Sequence, residues 1–175
     1  MKSKIDVLDQ KVLLKIQNWR RRPLNSFFLY LTYTGTGYAW WIFALVLNVL
    51  NYLNIQFIPN QNRFLNALFS PLLAWFLGYF LKKHYGRKRP SAAIAGFEQY
   101  ISPPTCGSFP SSHASASTAF FIALVLMVHP WASFVGVWAA LISFSRLYLG
   151  VHYLSDVLAG AVLGVFCAFT VLAVL

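Results

Sequence analysis

Five apolar runs, each close to the length that a helix needs to cross a bilayer, occupy most of this chain from residue 38 to its last residue. They are Tyr38–Ile58, Phe64–Leu81, the stretch from Ser111 to Val128, the stretch from there to Leu149, and Val151–Leu175. Hydrophobic residues make up 58% of the chain and charged residues only 10%, a balance that an ordinary soluble domain does not carry. The expected fold is all-α: a polytopic transmembrane bundle of five or six spans forming one domain over residues 1–175, with an N-terminal amphipathic helix. The sixth span depends on Leu24–Tyr33, which is too short to cross alone.

Residues 1–23 have a different pattern. Ile5, Leu8, Val12 and Ile16 recur at helical spacing between Asp6, Lys11 and Lys15, as expected of a helix lying on a membrane surface. Its apolar residues are interrupted by charges, so it does not read as a signal peptide. Cys106 and Cys167 are too few for a disulfide framework and lie at different depths, so no bridge is expected.

The net charge of +10 comes almost entirely from two blocks, seven Lys and Arg in residues 1–22 and five in residues 82–89. Basic blocks beside apolar spans mark a membrane flank, contact anionic lipid or bind phosphate, and nucleic acid is not an expected partner. If residues 20–34 crossed, the N-terminus would be cytoplasmic and the opposite face would look outward, toward the periplasm of a bacterial inner membrane.

Between Leu81 and Ser112 the chain leaves the bilayer, with Pro90, Pro103, Pro104 and Pro110 breaking any long helix and a short helix expected near Ala92–Tyr100. Alternating span directions then bring Lys82, Arg89, His113, Arg146, His152 and Asp156 to one membrane face. Ionisable residues at membrane depth are costly and mark function.

His152 and Asp156 are four residues apart, so the carboxylate can engage one imidazole nitrogen and leave the other to attack an electrophile. Pro110-Ser111-Ser112-His113 opens a span, where backbone N–H groups and the helix dipole favour an anion. Ser111 or Ser112 adds a hydroxyl donor, and His113 is placed to protonate a leaving oxygen. Lys82, Arg89 and Arg146 together can stabilise the equatorial oxygens of a phosphoryl group. Each element alone has a plainer reading, as a helix brace, a helix cap and a topology signal. A two-metal phosphatase needs several carboxylates, and the chain has only Asp6, Asp9, Glu98 and Asp156, so no metal and no cofactor is expected.

Lys82 to Pro90, Pro110 to His113 and Ser145 to Asp156 resemble, in this order, the K-x6-R-P, P-S-G-H and S-R-x5-H-x3-D motifs of the type-2 phosphatidic acid phosphatase superfamily. That superfamily also contains the vanadium haloperoxidases. The resemblance implies that His152 attacks phosphorus to form a phosphohistidine, with Asp156 orienting it and His113 protonating the leaving group. Lys82, Arg89, Ser111 and Arg146, with the backbone N–H groups of Ser112 and His113, would bind the phosphate. Ser112 departs from the motif, where Gly is common, and adds a Cβ close to the anion.

For a short bacterial-type chain the resemblance implies a phosphorylated membrane lipid as substrate: undecaprenyl diphosphate, phosphatidylglycerophosphate or the 1-phosphate of lipid A. A carrier that binds or transports such a lipid without chemistry would need the same cations. The sequence leaves the oligomeric state open.

Overall fold

The computed structural model describes residues 3–53, 61–102 and 106–175. Eight helices occupy them, with no strand among the described residues: α1 (Lys4–Gln17), α2 (Arg22–Thr34), α3 (Gly37–Tyr52), α4 (Gln61–Tyr85), α5 (Pro90–Ala93), α6 (Ser112–Leu126), α7 (Ala132–Tyr148) and α8 (Leu154–Val174). The expected end of the first span, residues 54–58, and Pro103-Pro104 lie outside the described residues. The short loop helix sits at Pro90–Ala93 instead of Ala92–Tyr100, because Pro90 supplies a preset first helical position and the chain turns extended at Ile94.

By length and composition, two helices are able to cross a membrane, within Leu65–Ala93 and Leu154–Val174, while Tyr38–Leu47, Ser112–Leu126 and Ala132–Tyr148 are shorter apolar helices. Only 39% and 28% of the two long apolar stretches is buried, which is too little for helices at the core of a soluble protein. Their outer faces carry Trp75, Phe76 and Phe80 on α4 and Leu158, Val162, Phe166 and Phe169 on α8. Such faces suit lipid.

Helices α4, α6 and α8 form the centre of the bundle, with α7 against α6 and α2 against α7. In lipid there is little hydrophobic drive between helices, so close packing must hold them. The pair Gly160 and Gly164 provides it, since a Cβ on either would come within 2.5 Å and 2.4 Å of the carbonyls of Ser111 and Ser115 on α6. The small-xxx-small pair therefore sets the approach of α8 to α6, and a bond from Ser111 N–H to the Asp156 carbonyl (2.9 Å) fixes their register.

Helix α1 begins with a capping box in which Ser3 and Asp6 satisfy each other's backbone N–H groups. The Ser3 hydroxyl and N–H, aided by the Arg87 guanidinium, hold the Asp6 carboxyl below its ordinary value. The face that docks on the bundle carries Asp9, Leu13 and Ile16, whereas Ile5 and Leu8 point outward. That exposed face, with Lys4, Lys11 and Lys15, is the one suited to a bilayer surface.

The segment 20–34 does not separate α1 from the loop face. Arg20 donates to the carbonyls of Tyr148 (2.9 Å) and Glu98 (2.6 Å), and α2 then runs down beside α7 until Thr34 meets the indole N–H of Trp138 (3.0 Å). After Gly35 the chain continues in α3. The N-terminal segment thus lies at the same end of the bundle as Arg87 and Glu98.

Candidate active site

The last turn of α7, the turn before α8, the first turn of α6 and the last turn of α4 converge on a cavity of about 610 Å³. Lys82, Arg89, Ser112, His113, Arg146 and His152 line its polar wall. Sequence spacing alone had placed these residues at one depth, and the helices bring them around one space. Trp41, Leu72, Trp75 and Tyr79 add a largely apolar part to its lining. Trp41, Trp75 and Tyr79 are also exposed on the outside of the bundle.

His152 lies in the turn between α7 and α8, outside both helices. Gly150 makes that turn possible: its φ of +76° is a backbone conformation that side chains disfavour, and it redirects the chain just before the histidine. Arg89 Nη1 lies 3.5 Å from His152 Nε2. A guanidinium only donates, so this approach is favourable in the tautomer that carries its proton on Nδ1. Burial, reinforced by Lys82, Arg146 and Arg89, pushes the His152 proton affinity well below that of a free imidazole.

The cations are fixed by carbonyls. Arg89 donates from Nη1 to Val151 O (2.9 Å), from Nε to Cys106 O (3.2 Å) and from Nη2 to Gly107 O (3.3 Å). Lys82, on α4 and not in the loop, donates to Pro110 O (2.5 Å) and Ser108 O (3.4 Å). Arg146 Nη1 donates to the hydroxyl of Thr32, while its buried Nε has no hydrogen-bond partner among the described residues. Among the described residues no acidic side chain lines the cavity, so the charge of these three groups is left for an anion.

Two expected site residues stand behind the wall. Ser111 is fully buried, its Oγ accepting from Ala114 N–H (3.5 Å) as the cap of α6. Asp156 is also fully buried. Its Oδ2 lies 3.5 Å from His152 Nδ1, longer than the hydrogen bond expected from the spacing, and Nδ1 has no hydrogen-bond partner among the described residues. The reason is competition. Oδ2 accepts from Tyr153 N–H (2.9 Å) and Oδ1 from Arg87 Nη1 (2.6 Å). The Ser112 hydroxyl faces Gly78 of α4, where a Cβ would come within 3.5 Å of its Oγ.

Sequence reasoning missed Arg87, Asp9, Ser155 and Thr32. Arg87 lay inside the recognised basic block, and only its charge partners show that it faces away from the cavity.

Over residues 63–175 the sequence matches the PAP2 superfamily. The chain belongs to that family. An undecaprenyl-diphosphatase of Sulfolobus acidocaldarius is 28% identical over 159 residues, covering 90% of this chain and 74% of the relative. A lipid A 4'-phosphatase of Bacteroides thetaiotaomicron is 39% identical over 94 residues, covering 50% of this chain but only 42% of its own length. The crystal structure of Aquifex aeolicus LpxE superimposes with a TM-score of 0.78 at 24% identity, covering 95% of each chain, which shows a shared fold. All three PAP2 motif segments fall inside the matched residues, and the cavity lies where they meet.

Proposed function

We propose that this chain is a metal-independent membrane phosphatase that removes a terminal phosphate from a lipid phosphate or diphosphate through a phosphohistidine. The observation that carries this reading is His152 Nε2, 3.5 Å from Arg89, at a cavity lined both by Lys82, Arg89 and Arg146 and by Trp41, Leu72 and Trp75.

His152 Nε2 attacks phosphorus, a P–N bond forms, and the bond from phosphorus to the leaving oxygen breaks while His113 gives that oxygen its proton. Water then attacks the phosphohistidine, returning a proton to His113 as the P–N bond breaks and inorganic phosphate leaves. Lys82, Arg89 and Arg146 neutralise charge on the equatorial oxygens, joined by N–H groups at the start of α6. Ser111 supports that start as its cap, and Asp156 orients His152.

A sideways opening between Trp41 and Trp75 would admit a lipid whose tails remain in the bilayer. Five crossings follow if α2 and α3 together make one and α4, α6, α7 and α8 the others, and a bacterial inner membrane is the proposed location. Undecaprenyl diphosphate, phosphatidylglycerophosphate and lipid A 1-phosphate are the candidate substrates. The test is phosphate release from each in detergent, with His152→Ala alongside. Release by the wild type and loss of at least about a thousandfold in the variant is the expected result. No release from any of the three overturns the reading, and lipid binding that survives His152→Ala without turnover in either protein favours a carrier.

A further inference from the structure

We infer that Asp9, on the N-terminal surface helix, is a positioning residue for the reaction, acting through Arg87 on Asp156 and hence on His152. The inference rests on the phosphatase reading above. Asp9 is 2% exposed although it belongs to a surface helix, and its carboxylate reaches the start of α8, where Ser155 N–H donates to Oδ1 (2.9 Å) and the Ser155 hydroxyl to Oδ2. Arg87 Nη2 also donates to Asp9 Oδ2 (2.8 Å) and reaches Asp6 Oδ1 at 3.3 Å. The other end of the same guanidinium donates to Asp156 Oδ1 (2.6 Å), and its plane covers the Tyr153 ring at 4.3 Å.

One guanidinium therefore serves three carboxylates. Shared in this way, Arg87 leaves a net negative charge on the cluster, available to the Nδ1 proton of His152 as positive charge develops on the attacking ring. Without Asp9 the whole charge of Arg87 would fall on Asp156 and Asp6, and Asp156 would be drawn further from a histidine already 3.5 Å away. Asp9 does not line the cavity, so it should act on turnover and leave substrate binding unchanged.

The test compares Asp9→Asn, which removes the charge, with Ser155→Ala, which at constant charge removes the hydroxyl that donates to Asp9 and accepts from Arg87 Nη1 (2.7 Å). Asp9→Asn is expected to lower kcat by about tenfold with KM unchanged, as when outer partners orient a reacting group. Ser155→Ala should stay within about twofold. Equal kcat for wild type and Asp9→Asn, or equal losses in both variants, overturns the inference. If Asp9→Asn does not accumulate in membranes, Asp6→Asn provides the same charge test at smaller amplitude, about twofold, and an unchanged kcat overturns the inference equally. His152→Ala in the same assay separates the two levels: an inactive His152→Ala beside a fully active Asp9→Asn sinks only this inference, whereas an active His152→Ala sinks the phosphatase reading.

Discussion

Asp156 holds Arg87 more closely than it holds His152, at 2.6 Å against 3.5 Å. The carboxylate is thus shared between a structural cation and the proposed nucleophile, and removing its charge should affect both. Asp156→Asn is expected to lower kcat by about 10² to 10⁴, the range for loss of a positioned acid–base group, with a much smaller effect on KM. Steady-state phosphate release on a lipid phosphate in detergent checks it.

Thr32 is the second relationship that turnover should expose. It is buried on α2 and accepts from Arg146, whose Nε lacks a partner. Thr32→Val should loosen the guanidinium and raise KM by about fivefold, equivalent to about 1 kcal/mol for one hydrogen bond, while Thr32→Ser stays near wild type. Equal KM values for Thr32→Val and wild type would count against Arg146 as a phosphate ligand held from α2.

Much of the site was legible because three short motifs and alternating span directions both place Lys82, Arg89, His113, Arg146 and His152 together. Asp9 and Thr32 were not legible. Their partners are 78 and 114 residues away, and nothing local marks them. Arg87 shares its surroundings in sequence with Lys82 and Arg89 yet turns outward to three carboxylates, a choice that depends on where α1 docks. The segment 20–34 was open for a related reason: α2 is too short to cross, and long-range bonds such as those of Arg20 to Tyr148 and Glu98 show at which end of the bundle it begins.

Helix packing gives a stability prediction. Gly164→Leu places a side chain where a Cβ already meets Ser115 O at 2.4 Å, so α8 must move from α6. The variant should melt at lower temperature in detergent and lose activity together with stability, whereas Leu158→Ala on the exposed face of α8 should change neither appreciably. A scan of thermal unfolding checks both.

Topology is equally open to test. With Arg20 bonded to the carbonyl of Glu98, Lys11 and Glu98 belong to one membrane face. In a background with Cys106 and Cys167 replaced by Ser, Lys11→Cys and Glu98→Cys should respond alike to a membrane-impermeant thiol reagent in intact cells. Labelling of one and protection of the other contradicts the fold.

His152 as nucleophile is tested most directly by rapid acid-free quenching of the enzyme with a lipid phosphate labelled in its terminal phosphorus, followed by peptide mapping. The expected result is an acid-labile label on the peptide containing residue 152, absent from His152→Ala. Label on any other residue, or phosphate release by His152→Ala at the wild-type rate, contradicts it.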